Sequence, residues 1–257
     1  MPKIIAVGMQ KGGVGKTTIS VNLAGYLAKL GNKTLLIDAD PQASATKFFL
    51  DDVDLKESMS ALFDLADPWA IVREAPQLIK ETNIENLYIA PSTIVLSAVE
   101  SGTFEEPSRR FKYWIDATCK EFDYIIIDCP PSLGRLCSNA LVAAKYVVVC
   151  SEPETQSYDA LPIFLSNIEK IRNINPDLKI AGLIVNCLSE NQLGHAHYAR
   201  QMREMNIYIG TLHRRSAFVD MSHERSLIIN TSVSNISRIK GEFESILNKI
   251  IQRTNNN

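Results

Sequence analysis

The sequence predicts an α/β protein with a doubly wound, mostly parallel sheet flanked by helices. Three observations lead there. Seven short apolar, β-branched runs recur along the 257 residues, and they are continuous rather than alternating, as strands covered on both faces are. Longer stretches of helical periodicity separate them, the pattern of successive βαβ units. A glycine-rich segment joins the first run to the first helix, where an open parallel sheet places its ligand crevice.

"KIIAVGM" (3–9) is the first strand, and the helix after the glycine-rich segment is predicted over 17–30. "KTLLIDAD" (33–40) is the second strand; it exits on Asp38 and Asp40, with Pro41 as a turn signal. Residues 51–84 lack a regular period and predict a mostly helical insertion. The remaining strands are "NLYIAPS" (86–92), "YIIIDCPP" (124–131, exiting on Asp128), "YVVVCSEP" (146–153), "KIAGLIVNC" (179–187) and "IYIGTLH" (207–213). Helices are predicted over 134–144, 157–174, 194–206 and 235–252. Residues 1–252 are expected to form a single domain, and the polar "RTNNN" (253–257) a disordered tail.

Composition narrows the function classes. With 46% hydrophobic and 22% charged residues the chain can bury a sizeable core. A net charge of −2 gives no overall basic field, so nucleic acid would need a local patch. The five cysteines are odd in number and include no C-x-x-C, which favours reduced thiols over a disulfide or metal framework. The first strand begins almost at the first residue, leaving no room for a signal peptide. No apolar stretch approaches 18 residues, so no membrane span is expected and a cytoplasmic protein is. His195 and His197 lie two apart, facing opposite sides of a helix, a poor spacing for a metal.

The chemistry concentrates in "MQKGGVGKTT" (9–18). A standard phosphate loop reads G-x-x-x-x-G-K-[ST]; here Gln10 stands at its first glycine, and Lys11 with Gly12 and Gly13 are additional. The backbone of Gly12, Gly13, Val14 and Gly15 can curl its N–H groups around an anion at a helix N-terminus. Lys16 is placed to reach the β- and γ-phosphates, Thr17 to ligate Mg²⁺ and Thr18 to lie near the α-phosphate. Asp128, at a strand exit behind an apolar run, can hold a Mg²⁺-bound water.

"KGGVGKTT", "DADPQ" and "IIIDCPPS", in this order and spacing, resemble the ParA/Soj family within the ParA/MinD class of deviant Walker-A P-loop ATPases. The resemblance covers nearly the whole chain. It implies ATP and Mg²⁺ as cofactors, slow hydrolysis to ADP and phosphate, an ATP-dependent homodimer and a ParB-like adaptor that stimulates turnover. By the same resemblance Lys11 is the signature lysine that reaches the phosphates held by the other subunit. Asp40 positions the attacking water, Asp38 lies near the Mg²⁺, and Asp128 is the Walker-B residue. Pro130, Pro131 and Ser132 form a second switch. Adenine contacts fall on Asn186 and on Leu212 to Arg214; Asn186 reads equally well as a strand-end cap.

One segment departs from the family. Chromosomal members carry "IPRNVRLSEAPS" where this chain has "TLHRRSAFVDMS" (211–222). Arg214 is kept, a proline becomes His213, and the arginine usually implicated in DNA contact aligns with Ala217. A second family arginine falls near Glu190–Asn191. Nonspecific DNA binding, and with it nucleoid association, would then rest on Arg214, Arg215, Arg238 and Lys240, helped by Arg200, Arg203 and Arg225. The alternative is a MinD-like or cargo-positioning ATPase that does not use DNA. MinD-like relatives anchor on membranes through a C-terminal amphipathic helix. Here the stripe Phe243, Ile246, Leu247, Ile250 and Ile251 is expected to dock on the sheet, because Lys249 and Arg253 are its only cations, beside Glu242 and Glu244. A metabolic ATPase of related fold would need paired cysteines at a dimer interface, and Cys129 and Cys137 show no obvious pairing.

Overall fold

The computed structural model describes residues 1–65, 68–74, 77–102, 108–189, 191–214, 224–228 and 237–255. Its centre is an eight-stranded sheet ordered β3-β4-β2-β5-β1-β6-β7-β8. The strands are β1 (Lys3–Gly8), β2 (Thr34–Asp38), β3 (Lys80–Glu81), β4 (Leu87–Ala90), β5 (Tyr124–Asp128), β6 (Tyr146–Ser151), β7 (Lys179–Leu188) and β8 (Tyr208–His213). Every neighbouring pair is parallel except β3 with β4. Every residue of β2, β5 and β6 is buried, which is why their sequences run apolar without alternation.

The chain leaves β1 through α1 (Lys16–Lys29) toward β2 on one side, and leaves β5 through α6 (Arg135–Ala143) toward β6 on the other. This reversal around β1 opens a crevice at the carboxyl ends of the central strands. Register then sets the chemistry: Asp128 pairs with Val7 of β1 and with Asp38 of β2, so two carboxylates stand side by side at adjacent strand ends.

The expected strands all form. Four short helices precede α6: α2 (Ser44–Phe49), α3 (Ala61–Asp64), α4 (Pro68–Glu74) and α5 (Arg110–Thr118). Two 3₁₀ turns, Leu55–Glu57 and Ile94–Glu100, lie among them. The region 51–84 is therefore helical in pieces, but it ends in the unforeseen β3, an antiparallel edge strand too short to show a period. Arg110 holds α3 in place. Its guanidinium is buried and donates to the carbonyls of Leu62 (2.7 Å) and Leu65 (3.0 Å), supplying partners for a helix end. After β6 come α7 (Thr155–Ile171) and α8 (Leu193–Arg203), and after β8 comes α9 (Ser237–Asn255).

Helix α9 docks on the sheet as its stripe predicts: Phe243, Ile246, Leu247 and Ile250 are all buried. Gly210 makes the contact possible, since a Cβ there would fall 2.4 Å from Ile246. The expectation of a tail from residue 253 is corrected. The helix runs through Asn255, with Arg253 donating to the Ala181 carbonyl (3.0 Å) and Thr254 buried. Packing supplied what composition could not show. Among the described residues no helix is long and apolar enough to cross a membrane.

Candidate functional site

The loop from Met9 to Gly15 connects β1 to α1 and encloses a cavity of about 440 Å³. Gly15 caps α1 in the left-handed region (φ 87°), a conformation that suits glycine. A Cβ there would also lie 2.1 Å from the Asn186 amide nitrogen. No side chain caps α1 and no acidic residue occupies its first turn. That leaves the first N–H groups and the positive end of the helix dipole to an anion. Gly12, Gly13, Gly15, Lys16, Thr17 and Thr18 line the cavity, together with Asp40 and Pro131 from the strand exits of β2 and β5.

The two lysines divide. Lys16 is almost fully buried, and its ammonium donates to the Lys11 carbonyl (2.8 Å), curled into its own loop. The Lys11 side chain is not part of the cavity wall; its ammonium contacts Glu154 and lies 3.8 Å from Glu152. Arg214 joins the same acidic pair, 3.4 Å from Glu152 and half-exposed. Val14 is fixed from below by two donors to its carbonyl, Asn186 Nδ2 (2.8 Å) and Cys150 Sγ (2.9 Å). Asn186 and Arg214, expected at the nucleotide, thus stand behind and beside the cradle rather than in its wall.

The carboxylates also differ. Asp38 is buried and saturated: Oδ1 accepts from Asp40 N (3.1 Å), and Oδ2 from Thr46 N (2.8 Å) and Thr46 Oγ1 (2.7 Å). Asp128 is equally buried, with Oδ1 accepting from Ser20 Oγ (2.9 Å) and Oδ2 left without a partner. Burial raises the pKa of both above the ordinary carboxylate range; for Asp128 the neighbouring Asp38 charge adds to the rise and the Thr17 and Ser20 hydroxyls oppose it. An orphaned oxygen on an electrostatically strained carboxylate, beside the Thr17 hydroxyl, fits a divalent cation. Asp38 instead orders the loop that carries Asp40. Asp40 Oδ1 accepts from Gln42 N (2.9 Å) within that loop, at the cavity wall.

Comparisons with known proteins bear on this geometry. Residues 2–180 match the family model described as AAA domain. The sporulation initiation inhibitor protein Soj of Bacillus subtilis is 40% identical over 193 residues, 73% of this chain and 74% of that protein. The chromosome partitioning protein ParA of Myxococcus xanthus is 34% identical over 190 residues, 71% of this chain and 64% of its own length. The crystal structure of a plasmid partition protein from Borrelia burgdorferi bound to AMPPNP superposes with a TM-score of 0.79 at 28% identity, covering 98% of this chain and all of that one. The chain belongs to the ParA/Soj family. It is an ATPase of the deviant Walker-A type, and its fold is the family's.

Within that family frame, the walls beyond the phosphate loop were missed from sequence. Val21, Asn22, Gln42, Ser44, Phe48, Ser226 and Ile228 complete the cavity. Asn22 is the organiser, donating to the Thr18 carbonyl (2.9 Å) and accepting from Ile228 N (2.8 Å). Its position on α1, four residues after Thr18, was the available signal. Of the expected DNA cations, Arg215 lies outside the described residues, as does Ala217, and the Arg238 side chain is likewise not described. Lys240 is half-buried on α9. Arg200 pairs with Glu204 (3.2 Å) and Arg225 with Asp51 (2.6 Å), while Arg203 donates to Thr211 Oγ1 (3.2 Å). His195 Nδ1 accepts from Ser189 N (3.2 Å), the role of a buried structural histidine. Cys129 and Cys137 are neighbours, both buried in the core.

Proposed function

We propose that this chain is a partition ATPase whose single domain, running through α9 to Asn255, forms an ATP-sandwich homodimer, with slow hydrolysis timing the dimer's lifetime. The division of the two lysines supports it most directly. Lys16 and the loop amides supply the phosphate contacts within one subunit, and Lys11 lies outside the cavity with its ammonium on Glu152 and Glu154. A triphosphate enclosed between two subunits needs more positive charge than one lysine, and Lys11 of each subunit is the cation left to meet the other's nucleotide. Thr17 and Asp128 hold Mg²⁺, which neutralises charge on the phosphate oxygens. Asp40 orients the attacking water once it leaves Gln42 N, and Pro131 senses the γ-phosphate. A ParB-like adaptor accelerates the step. The ATP dimer binds nonspecific DNA in the cytoplasm through Arg214, Arg215, Arg238 and Lys240.

A mixing experiment tests this. Lys11→Ala retains ATP binding but loses dimerisation and hydrolysis; Asp40→Ala retains an ATP-bound dimer but loses hydrolysis. In their heterodimer, the Lys11→Ala subunit keeps its own Asp40 and receives Lys11 from its partner, so one site is complete. Recovered hydrolysis is expected. Heterodimers that form and stay inactive refute the exchange of Lys11 between subunits.

A further inference from the structure

Helix α1 turns two hydroxyls toward Asp128: Thr17, at the cavity wall, and Ser20, three residues later on the same face. Ser20 is fully buried and is not part of the cavity wall. Its Oγ lies 2.9 Å from Asp128 Oδ1 and 3.0 Å from the Lys16 carbonyl, with one hydrogen for the two acceptors. The carbonyl four residues back is the acceptor a serine inside a helix ordinarily takes, but an ionised carboxylate is the stronger one. Asp128 Oδ1 is therefore occupied from α1. Oδ2, without a partner, is the oxygen left to a cation.

Neighbouring carboxylates do not make up the number. Asp38, on the adjacent strand, has both oxygens committed, to Asp40 N and to Thr46, and Asp40 engages its own loop through Gln42 N. Among the described residues no group of three or more histidine, cysteine, aspartate or glutamate side chains could hold a metal. The site thus offers a cation the Thr17 hydroxyl and one oxygen of Asp128, and leaves the rest of its shell to water and phosphate oxygens. Such a donor set suits Mg²⁺, which keeps several waters and takes only one or two carboxylates. Ca²⁺ is larger, gathers about six to eight oxygens and readily takes a carboxylate through both of its own.

We propose that Ser20 is a positioning residue that sets the cation selectivity of this site: by holding Asp128 to a single available oxygen, it favours Mg²⁺ over Ca²⁺. The proposal rests on the reading that Thr17 and Asp128 hold the cation. Ser20 acts through Asp128, fixing the rotation of the carboxylate so that Oδ2 stays free and Oδ1 cannot join it on the same ion. A hydrogen-bond partner behind a metal ligand tunes affinity in this way without touching the metal.

The test is a binding measurement on the full chain. A mant-labelled, non-hydrolysable ATP analogue is titrated by fluorescence in Mg²⁺, in Ca²⁺ and in EDTA. The unaltered chain should bind it more tightly with Mg²⁺ than with Ca²⁺. In Ser20→Ala the ratio of the two affinities should fall about tenfold, and the change should be confined to titrations with a cation present. Ser20→Thr keeps the hydroxyl and should retain the ratio. Ser20→Cys, of similar size but a weak donor, should fall between; if Ser20→Ala does not fold, this variant decides by the same ratio. A ratio that is the same in the unaltered chain, Ser20→Ala and Ser20→Cys overturns the proposal. So does a loss of equal size in Mg²⁺, Ca²⁺ and EDTA, the mark of a residue that only shapes the loop. The cation site itself is checked by Asp128→Asn, which should lose the gain in affinity that Mg²⁺ brings. If Mg²⁺ brings no gain to the unaltered chain, or the same gain to Asp128→Asn, the cation site falls and this proposal with it, so the two failures are distinguishable.

Discussion

Asp128 is a buried carboxylate beside a second one, with one oxygen unpartnered. Its folded pKa is raised, so the native state binds more protons than the unfolded chain between the ordinary value of 3.8 and the raised one. The penalty is absent below that window and full above it; stability is lost as pH rises through it. Asp128→Asn removes the penalty while its amide oxygen can still accept from Ser20. The nucleotide-free variant should melt higher than the unaltered chain at pH 8, by about 2–4 °C per kcal/mol recovered. The difference should vanish near pH 4 in thermal scans. With Mg²⁺ and ATP the order should reverse, because the variant lacks the charge that holds the cation. Lys11 supplies a second residue-scale prediction. Its contacts to Glu152 and Glu154 are part-exposed and each is worth about 0.2–1 kcal/mol. With one such contact released in each subunit, Glu154→Gln should let ATP dimers form at up to about thirtyfold lower protein concentration in sedimentation equilibrium, with monomer ATP affinity unchanged.

At the scale of elements, the phosphate loop is shaped from behind by β7. Asn186→Ala removes the donor to Val14 and leaves a carbonyl poorly satisfied, a cost of about 0.5–1.5 kcal/mol. ATP affinity by isothermal titration should fall about three- to tenfold although Asn186 is not part of the cavity wall. The same residue type used as a base contact would change selectivity for adenine over guanine instead. Helix α9 makes a different case. Ile246 packs over Gly210, and Ile246→Ala opens a cavity between helix and sheet, worth about 2–5 kcal/mol in chemical denaturation. A membrane anchor would tolerate that change, whereas a docked helix does not.

For the whole molecule the proposed DNA binding has to be reconciled with a net charge of −2. Among the described residues several arginines are already committed to acidic neighbours, Arg214 to Glu152, Arg225 to Asp51 and Arg200 to Glu204. The proposed binding would therefore draw on a patch summed over two subunits. The ATP dimer is expected to retard nonspecific duplex DNA weakly at about 50 mM salt, and removing one phosphate contact per dimer should flatten the log–log salt dependence by about one. A dimer that forms in ATP and shows no retardation at that salt favours the cargo-positioning alternative.

The sequence by itself determined the sheet, the phosphate loop and the acidic strand ends. Each is written in contiguous residues: apolar runs such as "YIIID" report burial on both faces, and "KGGVGKTT" must supply consecutive amides to one anion. It also determined that the stripe on α9 packs inward, since helical periodicity is local. Only the tertiary structure decided which members of these motifs face the cavity. The pairing of β2 with β5 set Asp38 beside Asp128, and Thr46 then saturated one while the other kept a free oxygen. Asn186 reads from sequence as either a base contact or a cap; β7 delivers its amide to Val14, 172 residues away along the chain. Lys11 meets Glu152 and Glu154 from the far half of the chain, and Ser92 meets Thr46 across 46 residues. Hydrogen bonds and ion pairs act over a few ångströms whatever the distance along the chain, so folding assigns their partners and no local pattern records them.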